Sequence, residues 1–292
     1  MIQKTPAEIV LIKKACEITR DALIYAKALI KPGVSTFDID KSIEKFIIES
    51  GGSPACLGYE GYPAATCISV NEMVVHGIPN KNIILKEGDI VSVDIVVAYK
   101  GYHGDAARTY PVGEISEEKK KLVRVTKECF FKGIENVRIG DRLGKLSHAI
   151  QTHAESNGFS VVRELCGHGI GRRMHEAPSV LNYGKETDGP VIAENAVLAI
   201  EPMINAGKKE IGMLSDGWGI VTRDGKPSAH YENTVLFTKS GLEILTLETD
   251  DEYYSRWCCN RYCWKRKKSD FCRSWRRYTL LLFGWWKTFE ID

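Results

Sequence analysis

Five residues of this chain are of the types that hold a hard divalent cation, and four of them fall into two pairs related by an internal repeat. Residues 87–94 read Glu-Gly-Asp-Ile-Val-Ser-Val-Asp and residues 194–201 read Glu-Asn-Ala-Val-Leu-Ala-Ile-Glu, which makes Asp94 and Glu201 equivalent at an offset of 107. His-Gly-Asp at 103–105 and His-Tyr-Glu at 230–232 follow at an offset of 127, as if a hairpin had grown by 20 residues in the second copy. A duplicated fold that sets acidic residues at equivalent strand positions can bring four carboxylates to one symmetry axis. There they repel one another unless a cation sits between them. Asp94 interrupts the apolar run Val-Ser-Val-Asp-Ile-Val-Val, and Glu201 interrupts Val-Leu-Ala-Ile-Glu-Pro-Met. An ionised carboxylate in such a run is costly unless it is paired or metal-bound. Either one alone reads as a strand-end carboxylate touching solvent, but two symmetric pairs point to a metal.

His168 adds an imidazole. It lies in Cys166-Gly-His-Gly-Ile-Gly, where flanking glycines let backbone approach closely and would expose the ring. No Lys-Ser/Thr follows, so the segment does not match a phosphate-cradling loop. Asp94, Asp105, His168, Glu201 and Glu232 together form a donor set that suits Mn, Fe, Co or Zn, and its carboxylates could bridge two ions. His76 and His175 each fall in a short turn between predicted strands. A lone histidine in such a turn is more often structural. Two of them near a metal site are candidate hydrogen-bond donors to a substrate or to a tetrahedral intermediate.

The elements that must position these residues also repeat. Thr5-Pro-Ala-Glu8 is a capping-box start with Pro at the first helical position. Ile9, Ile12, Cys16, Leu23 and Ala26 then recur at helical spacing, so residues 6–30 read as a helix stopped by Lys31-Pro-Gly33. Ser35 with Asp38 starts a second helix that runs to Ser50. The second half repeats the plan 107 residues later, with a helix over 117–136, a break at Ile139-Gly140, and a helix capped by Asp141 that ends near Gly158. Strands are predicted over 65–70, 89–99 and 105–110 in the first half, and over 160–164, 196–200, 218–222 and 228–237 in the second. Helix pairs followed by strands, without βα alternation, indicate an α+β domain over residues 1–248, with helices on one side of a curved antiparallel sheet.

Hydrophobic residues make up 43% of the chain and charged residues 27%, which excludes a disordered or fibrous chain. No secretory signal and no apolar run near the roughly 20 residues of a membrane span are present. Five cysteines are scattered over residues 1–250 without paired spacing, which fits reduced thiols in a cytoplasmic protein.

Seven stretches in this order resemble the type I methionine aminopeptidases of bacteria, members of the M24 peptidase family with the pita-bread fold. They are residues 55–63 (Ala-Cys-Leu-Gly-Tyr-Glu-Gly-Tyr-Pro), 71–79 (Asn-Glu-Met-Val-Val-His-Gly-Ile-Pro), 91–95, 101–109, 166–171, 200–203 and 231–234. The resemblance implies that Asp105, His168, Glu201 and Glu232 hold one metal ion and that Asp94, Asp105 and Glu232 hold a second. It implies that His76 and His175 contact the scissile amide and its carbonyl, and that Glu201 moves the proton of the attacking water. Cys56, Tyr59, Tyr62, Cys67, Met174 and Trp218 would line the pocket for the methionine side chain. The expected substrate is the N-terminal methionine of nascent polypeptides whose next residue is small, and the expected protein is a monomer with at most a transient ribosome contact, no specific nucleic acid and no membrane. Three positions depart from the family's pattern: Met174 stands where Phe is common, and His230 and Asn233 stand where Gln and His are commoner. Proline-specific aminopeptidases and creatine-cleaving enzymes share the fold but usually carry an extra N-terminal domain, for which the helix start at Thr5 leaves no room. A pita-bread binding protein for RNA or ribosomes would have lost its ligands, whereas all five ligand types stand here.

Residues 249–292 are a different text. Residues 251–292 hold five of the six tryptophans, four of the nine cysteines and ten Lys/Arg against five Asp/Glu. A zinc knuckle, a ribosome or nucleic-acid contact, or a membrane-surface segment would each use such residues. The cysteine spacing lacks two C-x₂₋₄-C pairs, and the abrupt composition resembles a disordered tail or translation past a frameshift. Every candidate ligand and pocket residue lies at or before Glu232, so a chain ending at Asp250 is expected to keep the kcat/KM of the full chain for a Met-Ala peptide, measured side by side.

Overall fold

Capping chemistry sets three of the four helix starts. Helix α1 (Pro6–Leu29) opens on a reciprocal box: the Thr5 hydroxyl accepts from the Glu8 N–H, and the Glu8 carboxylate accepts from the Thr5 N–H at 2.9 Å. Helix α2 (Thr36–Glu49) opens on Ser35, whose Oγ accepts from the Asp38 N–H at 3.0 Å. Helix α3 (Glu117–Glu135) opens on Ser116 in the same way. Helix α4 (Leu143–Ser156) departs from expectation. Arg142, not Asp141, stands at its cap position and makes no side-chain cap bond. The Asp141 carboxylate instead accepts from the Arg138 N–H at 2.9 Å and from Lys145 Nζ at 3.0 Å, closing the turn that precedes the helix. Caps alone do not hold a 14-residue helix in water, since each is worth about 1 kcal/mol. The buried face of α2 does: Ile39, Ile43 and Ile47 are fully buried, and each contributes about 1.5–3 kcal/mol.

The computed structural model describes residues 1–248 of the 292-residue chain, and the expectations for residues 249–292 lie outside the described residues. The strands are β1 (Ser53–Pro54), β2 (Cys67–Val70), β3 (Met73–Val75), β4 (Ile90–Tyr99), β5 (Tyr102–Pro111), β6 (Ser160–Val161), β7 (Gly167–Gly169), β8 (Glu176–Val180), β9 (Val197–Ile200), β10 (Met203–Asn205), β11 (Ile211–Met213), β12 (Ile220–Thr222), β13 (Ser228–His230), β14 (Asn233–Thr238) and β15 (Gly241–Ile244). Every ladder among them is antiparallel. Strand β4 pairs β1 and β2 on one edge and β5 on the other. The remaining sheets run β13-β10-β6, β11-β12-β3 and β15-β14-β9-β7-β8. One core cluster seals α1 and α2 onto the β4–β5 hairpin, with Leu23, Ala26, Ile39 and Ile43 meeting Val91, Val93, Ile95 and Ala106. This is the α+β arrangement read from the helix and strand order.

The repeat is present in three dimensions at the same offset of 107. Helix α2 begins at Thr36 and α4 at Leu143; α2 ends at Glu49 and α4 at Ser156. The bridge Ser35↔Ile84 recurs as Arg142↔Val191, and the pairs Ser53↔Ala98 and Pro54↔Val97 recur as Ser160↔Asn205 and Val161↔Ile204. Gly33 and Gly140 both adopt the left-handed backbone, at φ 89° and 92°, which a side chain would strain.

The two halves differ at the carboxylates. In the first half Asp94 and Asp105 sit inside the unbroken ten-residue strands β4 and β5. In the second half the equivalent strands are each cut in two, between β9 and β10 at Glu201-Pro202 and between β13 and β14 at Tyr231-Glu232. The expected single strand over 228–237 is therefore two strands. Pro202 has no N–H to give a ladder, and the Glu232 N–H leaves its own sheet to donate to Ala107 O of β5 at 3.0 Å. The expected strands 160–164 and 218–222 are shorter than predicted, and 105–110 is longer.

The β4–β5 hairpin turns through Lys100 and Gly101, at φ 47° and 79°, the left-handed pair that a two-residue turn demands. Behind it, the Tyr102 hydroxyl donates to Glu8 at 3.0 Å. Bonds from the Thr5 backbone, the Thr5 hydroxyl and Tyr102 hold the Glu8 carboxyl down at about 2, below its ordinary value of 4.5. A carboxyl depressed in the folded state stabilises above the unfolded value and loses that contribution as pH falls. The stability gap between wild type and Glu8→Gln should be constant above about pH 5 and should close between 4.5 and 2, as read by denaturant titration at stepped pH.

Candidate metal centre

Strand register brings the first two carboxylates together. Asp94 opposes Ala107 and Asp105 opposes Val96, so the two acids stand at diagonal positions on one face of the hairpin. The second two meet by their breaks. Ile200↔Asn233 and Met203↔His230 bracket Glu201 and Glu232, which fall opposite each other in the interrupted ladder. His168 comes from β7, a short strand outside the predicted ranges, and its ring is half-buried. Gly167 lets β7 lie close to β9: a Cβ there would stand 2.4 Å from Ala199 O.

One ligand atom each from Asp105, His168 and Glu232 all lie within 4.8 Å of one another. His168 Nε2 is 3.6 Å from Asp105 Oδ2 and 3.7 Å from Glu201 Oε1. Those separations are too long for hydrogen bonds. His168 Nδ1 lies 3.0 Å from Gly169 O, and donating there leaves Nε2 unprotonated toward the acids. Burial first, and His175 second, hold the ring neutral with a pKa of about 4.

The acids are under strain that a cation would relieve. Asp105 is 4% exposed and Glu232 is 2% exposed. Asp94 Oδ1, Asp105 Oδ1 and Glu232 Oε1 are buried without a hydrogen-bond partner. Burial pushes Asp94 up to about 7. Burial raises Asp105, Glu201 and Glu232 well above the carboxylate range, and repulsion among the four acids adds to it. Orphaned acceptor oxygens around a neutral imidazole fit a divalent ion. Arg108 approaches from behind: its guanidinium donates to Ala107 O, Glu232 O, Asn233 Oδ1 and Thr246 O. It grips the backbone of Glu232, and Asn233 serves that grip.

An apolar cluster adjoins the acids, since Asp94 opposes the buried Cys67 across β2 and β4. All six pocket candidates belong to it: Cys56, Tyr62, Cys67 and Met174 are buried, and Tyr59 and Trp218 pack against them. Val96, Ala64, Ala55 and Ile78 complete it and were not anticipated. Val96 was within reach of the sequence, because it follows Asp94 by two and a strand repeats its face every two residues. The Tyr62 and Trp218 rings meet edge-on at 5.0 Å, and His76 meets Trp218 at 6.5 Å. His76 follows β3 at φ 59°, in the left-handed region, and its ring faces this wall. His175 is exposed, its ring 4.4 Å from that of His168, and its Nδ1 is 2.8 Å from the Tyr59 hydroxyl.

Residues 10–239 match metallopeptidase family M24. The chain belongs to that family. Within this metallopeptidase family it is 50% identical over 247 residues to the methionine aminopeptidase of Clostridium perfringens, a match covering 85% of this chain and 99% of the relative. It is 47% identical to methionine aminopeptidase 1 of Bacillus subtilis, over 84% of this chain and 99% of the relative. The crystal structure of the methionine aminopeptidase from Thermotoga maritima superposes with a TM-score of 0.84 at 47% identity, covering 85% of this chain and all of that one. The prolidase of Pyrococcus furiosus, 24% identical with a TM-score of 0.70 over 85% of this chain and 66% of that one, shares the fold. The fold is therefore the pita-bread fold, and the metallopeptidase uses a divalent metal.

Because the folded-state pKa of Asp94 is raised to about 7 from 3.8, its ionisation opposes folding in metal-free protein. That protein should lose stability as pH rises from about 4 to 7. Under chelator at pH 8, Asp94→Asn should melt higher than wild type by a few degrees, at about 2–4 °C per kcal/mol. With divalent ion added, the order should reverse. Differential scanning calorimetry at both conditions reads this directly.

Proposed function

We propose that this metallopeptidase removes the N-terminal methionine from nascent polypeptides whose second residue is small. The observation that carries the reading is the apolar cluster of Cys56, Tyr59, Tyr62, Cys67, Met174 and Trp218 set against four clustered acids, two of them buried and two half-buried. An unbranched, polarizable thioether suits such a cluster. The names of the relatives agree with this substrate.

In this reading Asp105, His168, Glu201 and Glu232 hold one divalent ion, and Asp94, Asp105 and Glu232 hold a second. Co, Mn, Fe and Zn all suit these donors. When bound, such ions supply Lewis acidity and bring the pKa of a water near 7. The rest is the work of the chain. Glu201, at the break after β9, is raised by burial and by its acidic neighbours, which suits it to take the proton of the attacking water and return it to the leaving amine. If the Tyr59 hydroxyl donates to Nδ1 of His175, the proton sits on Nε2, which then donates to the oxygen of the scissile carbonyl. His76, held neutral by burial first and then by His175, faces the same wall and serves the scissile amide. The acidic cluster receives the free terminal amine, so a formylated N-terminus is excluded. The reading places the enzyme in the cytoplasm as a monomer, with at most a transient ribosome contact. No helix among the described residues is long and apolar enough to cross a membrane.

Peptide hydrolysis tests the reading. Methionine should leave Met-Ala and Met-Gly peptides, and leave Met-Lys and formyl-Met peptides far more slowly; equal rates on Met-Ala and Met-Lys would remove the small-residue requirement. His76→Ala should cost about 10²–10³ in rate, as loss of one positioned donor does. Glu232→Ala should abolish turnover and lower the bound metal. Full metal occupancy in Glu232→Ala would overturn its place between the ions.

A further inference from the structure

We propose that His230 is a metal-ligating imidazole, so that this chain's cation site carries two histidines, His168 and His230, one on either side of the Glu201 carboxylate. The proposal rests on the metallopeptidase reading above and adds a donor to it. His230 is 1% exposed, and both of its ring nitrogens are buried without a hydrogen-bond partner. Its Nε2 lies 3.7 Å from Glu201 Oε2 and 3.9 Å from Glu232 Oε2. His168 mirrors it, with Nε2 3.7 Å from Glu201 Oε1. None of these gaps is a hydrogen bond. Two donors sharing one ion at bonds of about 2.0–2.2 Å stand about 3–3.6 Å apart, so each gap closes around a cation with a small shift.

A histidine kept for packing would place at least one nitrogen on a carbonyl or hydroxyl, because an unmet buried donor is penalised. His230 has not done so, and its backbone holds it where it is. The His230 N–H donates to Thr109 Oγ1 at 2.9 Å, the Thr109 hydroxyl lies 2.9 Å from His230 O, and Met203 pairs it across the ladder. It precedes Glu232 by two residues, and its Nε2 faces the carboxylates of both Glu201 and Glu232. The residue type departs from the family's commoner Gln, so the consequence belongs to this chain. A second imidazole among carboxylates favours nitrogen-seeking ions such as Zn(II) and Co(II) over Mn(II).

Proton NMR of the Co(II)-loaded full-length protein tests this without reference to turnover. Each imidazole bound through Nε2 carries a hyperfine-shifted, solvent-exchangeable Nδ1–H signal. Two such signals are expected in wild type and one in His230→Gln, with the Zn(II)-over-Mn(II) affinity ratio falling about ten- to a hundredfold in the variant. A single signal in wild type, or two that survive in His230→Gln, overturns the proposal and leaves the metallopeptidase reading standing. No shifted imidazole signal at all removes both. The wild-type count decides the matter even where the variant folds poorly.

Discussion

Four carboxylates that face one another, two buried and two half-buried, are the constraint on which the rest of this structure depends. Asp94, Asp105, Glu201 and Glu232 would not be brought together by any force of their own, since burial and mutual repulsion both oppose their charge. The apolar burial of two helix pairs on antiparallel strands supplies what they lack. The strand faces that bury Val91, Val93 and Ile95 on α1 and α2 necessarily turn Asp94 to the other side. A fold assembled from a repeat does this twice and then joins the results.

The repeat is not copied faithfully at the acids, and the departure shapes the site. In the first half the acids ride on continuous strands, so their separation is a property of the hairpin register. In the second half they occupy strand breaks, where backbone groups turn outward. Glu232 gives its N–H to Ala107 of the other half and receives Arg108 at its carbonyl. The two halves are thereby stitched through the backbone of a ligand residue, and the alignment of that carboxylate depends on β5 as much as on its own strand.

Much of this was legible in the residues. Thr5, Ser35 and the glycines at 33 and 140 carry local rules strong enough to set helix boundaries within a residue or two. The offsets that align Asp94 with Glu201 and Asp105 with Glu232 carry over from text to space. What was not legible has physical reasons. Strands β1, β3, β7, β10 and β11 span two or three residues, too few for any period to register. The break at Tyr231-Glu232 lacks a breaker residue and comes from a long-range bond to Ala107. Asp141 carries the chemistry of a cap but spends it on Arg138 and Lys145, a competition that a linear reading does not resolve. The company of His230 emerges only when Glu201 is folded against it.

The tight turn at Lys100-Gly101 has a consequence for the order of assembly. It separates Asp94 from Asp105 by 11 residues, whereas Glu201 and Glu232 are 31 apart. Closing the longer loop costs about 0.9 kcal/mol more chain entropy on logarithmic scaling. That penalty is met before any ladder contact repays it, so nucleation favours the first hairpin. The first pair of acids is then a template of short contact order, already in register when the later half docks and brings its own two acids against it.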